Sequence, residues 1–153
     1  MIEPIELRNT TIKNRIFMAA HGTGYAEGGG LGEKALNYYE ARIANGVGLV
    51  VTEAHTVTPL KGQKYAQLTA SSDDCIPGLK HLTDLCHEHE CKLFGQLYHP
   101  GRGRAHSMDG SLDVALAPSS LPDERYHCVP QELTVSEIRE LVQLFGEGAG
   151  RMA

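Results

Sequence analysis

Apolar residues recur along this chain on two periods, and the periods take turns. Ile5-Glu6-Leu7 and Thr11-Ile12-Lys13 alternate in steps of two around Arg8-Asn9-Thr10, which predicts a β-hairpin. From Arg15 to Ala20 the chain is apolar after its first residue, as a parallel strand covered on both faces should be. His21 to Gly32 contains six glycines and few apolar residues, so it reads as a loop. Leu36, Tyr39 and Ile43 then fall at helical spacing within Glu33 to Asn45, and Asn45-Gly46 ends the run.

The second half repeats the order. Val47 to Glu53 is a second apolar strand and residues 55–72 a polar loop. Asp73 or Asp74 is expected to cap the next helix, with Pro77 in its first turn and Ile76, Leu79, Leu82 and Leu85 or Cys86 on its buried face. Lys92 to Leu97 is a third strand. Residues 98–133 carry little periodic pattern, and loops of that length usually serve function or are disordered. Thr134-Val135-Ser136-Glu137 has the spacing of a capping box. Ile138, Leu141, Val142, Phe145 and Ala149 form the expected stripe of a last helix. A hairpin followed by three strand–helix units predicts an α/β fold with a parallel sheet and right-handed crossovers.

Composition narrows the function classes. At 153 residues, 41% hydrophobic and 22% charged, the chain reads as one globular domain spanning residues 1–153. A net charge of −5 offers no basic footprint for nucleic acid. No apolar stretch reaches the roughly 18 residues of a membrane span. Met1-Ile2-Glu3-Pro4 lacks the basic and apolar regions of a signal peptide, so a cytoplasmic location is expected. Cys75, Cys86, Cys91 and Cys128 are then expected as free thiols.

Chemistry gathers where strands end. Lys92-Leu93-Phe94-Gly95-Gln96-Leu97-Tyr98-His99-Pro100-Gly101-Arg102 runs from an apolar strand into polar and glycine residues. A primary amide such as Gln96 can donate and accept together, which suits a planar ligand presenting a carbonyl beside an N–H. Two further sets of residues stand at the other strand ends. One is Arg15-Ile16-Phe17-Met18-Ala19-Ala20-His21-Gly22-Thr23-Gly24; the other is Tyr38-Tyr39-Glu40-Ala41-Arg42 followed by Gly46 to Ala54. Together with Ala117-Pro118-Ser119 and Glu132-Leu133-Thr134, the chain resembles the old yellow enzyme family of FMN-dependent oxidoreductases. Its wording is most similar to the NADH:flavin oxidoreductase branch that includes 2,4-dienoyl-CoA reductase and trimethylamine dehydrogenase.

The resemblance implies a TIM (β/α)8 barrel, of which this chain would be the first part, since such a barrel takes about 250 residues. It implies a site at the C-terminal ends of the strands, with FMN as cofactor, NADH or NADPH as reductant and a small-molecule substrate. Ala19, Ala20, His21 and Gly22 would pass along one edge of the flavin, Ala54 would lie beneath it, and Gln96 would pair with its pyrimidine edge. The family often has Cys or Thr where Gly22 stands, and one branch bonds that Cys to the ring, so FMN here is expected to be non-covalent. Thr23 offers a neighbouring hydroxyl of unknown direction. Glu53 is expected to face the barrel interior or a helix. Arg102 would contact a neighbouring loop or a phosphate, or pin the long loop, and His99 belongs to the same His-x-Gly-Arg motif.

The family's catalytic residues would lie beyond residue 153, as would the phosphate loops and the closely spaced cysteines of any iron–sulfur cluster. Cys86-His87-Glu88-His89-Glu90-Cys91 crowds metal-ligating types into six residues, but its side chains are expected to diverge, and no metal site is assigned. Two readings of function lead: an FMN-dependent NAD(P)H:acceptor oxidoreductase of the ene-reductase type, or a catalytically incompetent half-barrel. The unclosed sheet, with Ile16, Met18, Leu49, Val51 and Leu93 expected on its inner face, leads us to expect a homo-oligomer. A different (β/α)8 enzyme sharing only the scaffold is the third possibility, and the strand-end residues argue against it.

Overall fold

The computed structural model describes residues 2–59, 66–103, 114–125 and 127–153. β1 (Ile5–Leu7) and β2 (Thr10–Ile12) form an antiparallel hairpin with Ile5 opposite Ile12. Its turn is Arg8-Asn9, one residue shorter than the pattern suggested. Arg8 takes φ 51°, the left-handed conformation that tight hairpin turns require.

The central sheet is parallel. β3 (Phe17–Met18), β4 (Leu49–Thr56), β5 (Leu68–Thr69) and β6 (Lys92–Tyr98) are arranged about β4, which pairs with all three others. β6 takes one edge of β4, while β3 and β5 share the other at its lower and upper ends. β5 lies in the stretch expected to be loop. Two residues are too few to show a period, so it left no pattern to read.

α1 (Glu33–Ile43) and α2 (Ile76–Glu88) cover one face of this sheet. Tyr39, Ile43, Val50, Leu68, Leu82, Cys86 and Cys91 are fully buried between the layers. α1 buries Ala35 in place of Leu36, which is half-buried. A 3₁₀ turn at Asp73–Cys75 leads into α2, and no side chain caps the helix. Asp73 accepts instead from Arg151 Nε at 2.8 Å. Leu79, Leu82 and Cys86 are buried as expected, whereas Ile76, the first residue after the turn, is 40% exposed.

The two outer sequence motifs meet in a short parallel ladder. β7 (Leu116–Ala117) pairs with β8 (Gln131–Glu132), Ala117 opposite Glu132. α3 (Val135–Met152) follows, and its capping box is formed. Thr134 Oγ1 accepts from Glu137 N at 3.3 Å, and Glu137 Oε2 accepts from Thr134 N at 2.7 Å. The packing face of α3 differs in part from the expected one, and Gly148 is its one buried residue. Leu141 and Phe145 of the expected stripe are half-buried beside it, as are Leu144 and Met152, while Ala149 is exposed and Ile138 and Val142 are 43% and 67% exposed. The helix meets the sheet through its C-terminal half, where Gly148 lies against Leu97, Val57 and Ala70 and Met152 against Gly95.

Registered residues of parallel neighbours share a face. Met18, Val50 and Leu93 are registered together and pack on the helices. Phe17, Leu49 and Lys92 form the row on the opposite face, and Phe94 pairs with Val51. The expectation that Met18 and Leu93 line the inner face is therefore corrected: Phe17 and Phe94 stand there, 61% and 42% exposed. The hairpin closes the lower end, where Ile5, Leu7, Ile12, Phe17 and Leu49 surround a cavity of about 170 Å³.

Candidate functional site

Between Val51 and Ala54 the register of β4 slips against β6: Val51 faces Phe94, yet Ala54 faces Gln96. Three steps on one strand match two on the other, which is a β-bulge. Bulges re-aim side chains and are frequent beside functional sites. Here the bulge lets two consecutive residues, Glu53 and Ala54, line the same cavity. The free backbone polar group is satisfied locally, since Gln96 N donates to Thr52 Oγ1 at 3.3 Å.

That cavity, about 530 Å³, lies at the C-terminal ends of β3, β4 and β6. Ala20, His21, Gly22, Thr23, Gly24, Glu53, Ala54, Ala66, Gln67 and Gln96 line it. Five of the six residues singled out from sequence are thus brought together. Ala19, exposed just after β3, does not line the cavity. Gln96 is exposed, because the inner side of the sheet is open, and no side chain among the described residues takes its amide. Gln67, next to β5, was missed; one polar residue in a polar loop carries no signal.

The loop after β3 is held at two points. His21 Nε2 lies 3.1 Å from Tyr38 Oη, and the Arg42 guanidinium stacks 3.5 Å from the Tyr38 ring. Thr23 is held by Glu53: its N–H donates to Oε2 at 2.9 Å and its hydroxyl to Oε1 at 2.8 Å. Thr23 Oγ1 also accepts from Tyr25 N at 3.1 Å. The Thr23 hydroxyl is therefore committed to the protein. Glu53 is 3% exposed, and its own N–H donates to Tyr39 Oη at 2.9 Å. Burial pushes the Tyr39 phenol up to about 12, so it stays neutral. Gly24, at φ 69°, turns the loop in a conformation that favours glycine. At Gly22 nothing lies within 4 Å of where a Cβ would stand.

Beneath the bulge, His55 is 1% exposed and 3.4 Å from Thr52 Oγ1. Burial pulls its pKa down to about 4, keeping the ring neutral at ordinary pH. His99 Nδ1 accepts from Gly101 N at 3.2 Å, and His99 does not reach the cavity. Arg102 donates to Pro122 O at 3.4 Å and lies 3.8 Å from the Asp123 carboxylate. Of its expected roles, these contacts match the pinning of the long loop. The segment 104–113 lies outside the described residues. Among the described residues no three His, Cys, Asp or Glu side chains gather as a metal site, and no helix is long and apolar enough to cross a membrane.

Parallel strands joined through helices, with small, glycine and amide residues collected around a cavity at their C-terminal ends, have the architecture of the first three βα units of a (β/α)8 barrel. The family model described as the NADH:flavin oxidoreductase / NADH oxidase family matches residues 1–153, and the chain belongs to that family. It is 34% identical over 145 residues to an NADH oxidase of Thermoanaerobacter brockii, covering 94% of this chain and 22% of that protein. It is 33% identical to an NADPH dehydrogenase of Geobacillus sp. (strain WCH70), covering 99% of this chain and 44% of the relative. The old yellow enzyme from Trypanosoma cruzi superposes with a TM-score of 0.79 at 29% identity, over 98% of this chain and 46% of that one. The chain thus spans between about a fifth and under half of the length of these relatives.

Proposed function

We propose that residues 1–153 form a partial-barrel domain supplying the flavin-facing strand ends of an FMN-dependent NAD(P)H:acceptor oxidoreductase of the ene-reductase type, acting in the cytoplasm on a small-molecule substrate. The supporting observation is the convergence of Ala20, His21, Gly22, Ala54 and Gln96 on one cavity at the strand ends. The residues present fit a flavin ring. Gln96 offers an amide that no side chain among the described residues takes, Ala20, Gly22 and Ala54 leave room for a flat ligand, and the open space at Gly22 admits close approach of the backbone.

Bound FMN would carry the hydride from NAD(P)H to an activated alkene or similar acceptor. The chain's part is to bind and orient. Gln96 would hold the pyrimidine edge, donating and accepting through one amide. The His21–Gly24 segment, fixed by Tyr38 and Glu53, would flank the ring with backbone and small side chains. No cysteine stands at Gly22, so the cofactor would be held without a covalent bond.

Flavin-fluorescence titration tests this, with the chain alone and with the chain joined to the C-terminal part of a family barrel. The joined protein should bind FMN, and Gln96→Ala should weaken binding by about 1–3 kcal/mol, the cost of a lost hydrogen bond at such a site. Equal affinity in the joined protein and its Gln96→Ala variant removes Gln96 from the site. Acid or heat should release all the flavin; a flavin-sized mass on the denatured chain overturns the non-covalent reading. A second reading, a catalytically incompetent half-barrel that self-associates, draws support from the exposed Phe17 and Phe94.

A further inference from the structure

The segment Cys86-His87-Glu88-His89-Glu90-Cys91 plays no part in the strand-end site. Its backbone closes α2: Cys91 N donates to Cys86 O at 2.8 Å, Glu90 N to His87 O at 3.1 Å, and Glu90 takes φ 52°. These bonds and the left-handed residue make a Schellman motif, in which the side chains flanking the longer bond come into contact. An apolar pair commonly fills that contact in such motifs. Here both residues are cysteine, 0% and 1% exposed within one core cluster. The expectation that this segment's side chains diverge is corrected for these two.

The thiols are not equivalent. Cys91 Sγ donates to Lys92 O at 3.4 Å, and the interaction with the Cys91 sulfur holds the Cys86 thiol above the ordinary range, with burial adding to the effect. The same interaction lowers Cys91 against the opposing effect of burial, and the Lys13 ammonium adds to the lowering. Lys13 Nζ itself donates to His89 O at the same helix end.

We propose that Cys86 and Cys91 form a reversible thiol–disulfide couple, a modification site closed by a small-molecule disulfide, that staples the end of α2 to the start of β6. Local opening of the helix end admits the oxidant. The Cys91 thiolate attacks one sulfur of glutathione disulfide, breaking its S–S bond and releasing one glutathione thiolate, which takes up a proton. The Cys86 thiol then loses its proton and attacks the Cys91 sulfur of the mixed disulfide, expelling the second glutathione. Two protein thiols are oxidised and one glutathione disulfide is reduced to two thiols.

The intact chain is equilibrated in glutathione buffers of graded ratio, folded and in urea, then alkylated and cut with trypsin. Lys80 and Lys92 flank both cysteines, so residues 81–92 emerge as one peptide. Closure makes that peptide two hydrogens lighter and free of label. The folded chain should reach half-closure in a buffer more reducing, by about tenfold in the ratio that sets the equilibrium, than the unfolded chain needs. Half-closure at the same ratio in both states, or a doubly alkylated peptide throughout, overturns the proposal.

Discussion

Glu53 has both carboxylate oxygens engaged by a single residue, Thr23, and is nearly sealed from solvent. Removing its side chain strands the Thr23 N–H and frees the loop beside Gly22. Glu53→Ala should therefore destabilise the chain by about 1–3 kcal/mol in urea unfolding, and Glu53→Gln, which keeps an acceptor, by less. Equal losses would show that the bonds to Thr23 carry no weight. His55 yields a pH prediction. Its folded pKa of about 4 lies below the ordinary 6.5, so the fold favours the neutral ring. That stability is present above pH 6.5 and is lost as pH falls through 4, by up to about 3 kcal/mol. The urea midpoint of the wild type should fall across this window more steeply than that of His55→Gln; parallel curves would count against a buried neutral histidine. At this scale the residue types at the strand ends were legible, because small residues and an amide stand out after apolar runs. The partners were not: Thr23 and Glu53 are 30 residues apart, and only the fold brings them together.

Between one strand and the next, the decisive feature is the bulge in β4. Alternation along Leu49–Thr56 assigns Glu53 and Ala54 to opposite faces, and an extra residue against β6 puts both on the cavity. A bulge adds no new residue type, so the pattern could not disclose it. α3 shows the complementary case. Its capping box was readable because the box is local, from Thr134 to Glu137. Its packing face was misread because apolar residues occupy more than one side of the helix, and contact with the sheet alone selects among them. Gly148 marks the selected face: a Cβ there would meet Leu97 Cδ2 at 3.2 Å and Val57 Cγ1 at 3.4 Å. Gly148→Leu should force α3 away from β6 and cost about 1–3 kcal/mol through overpacking. Thr134→Ala, at the exposed end of the same helix, should cost about 1 kcal/mol through the lost cap. Circular dichroism followed against urea separates the two, and a Gly148→Leu chain as stable as the wild type would show that the helix can settle without this close contact.

Seen as one molecule, the sheet is covered on the helix side and open on the other. Phe17 and Phe94 are 61% and 42% exposed on that open side, and Val135 and Val142 are 64% and 67% exposed on α3. The edge of β6 away from β4 has no strand against it among the described residues. An unpaired strand edge beside uncovered apolar surface is a template for association. In the wider family fold the barrel continues around this edge, which is why the strand-end residues could name a family while the sheet itself remains unclosed. For the chain on its own, a second copy can cover what the barrel would. A two-fold arrangement is the simplest, because it uses the same patch on both partners. Sedimentation should show mass rising with concentration above the 16.6 kDa of one chain. Phe94→Lys, placing a charge on the open face beside the free edge, should shift the weight-average mass back toward the monomer. A monomer at every concentration, with FMN bound in equal proportion, would leave the strand-end site standing and remove self-association from the account.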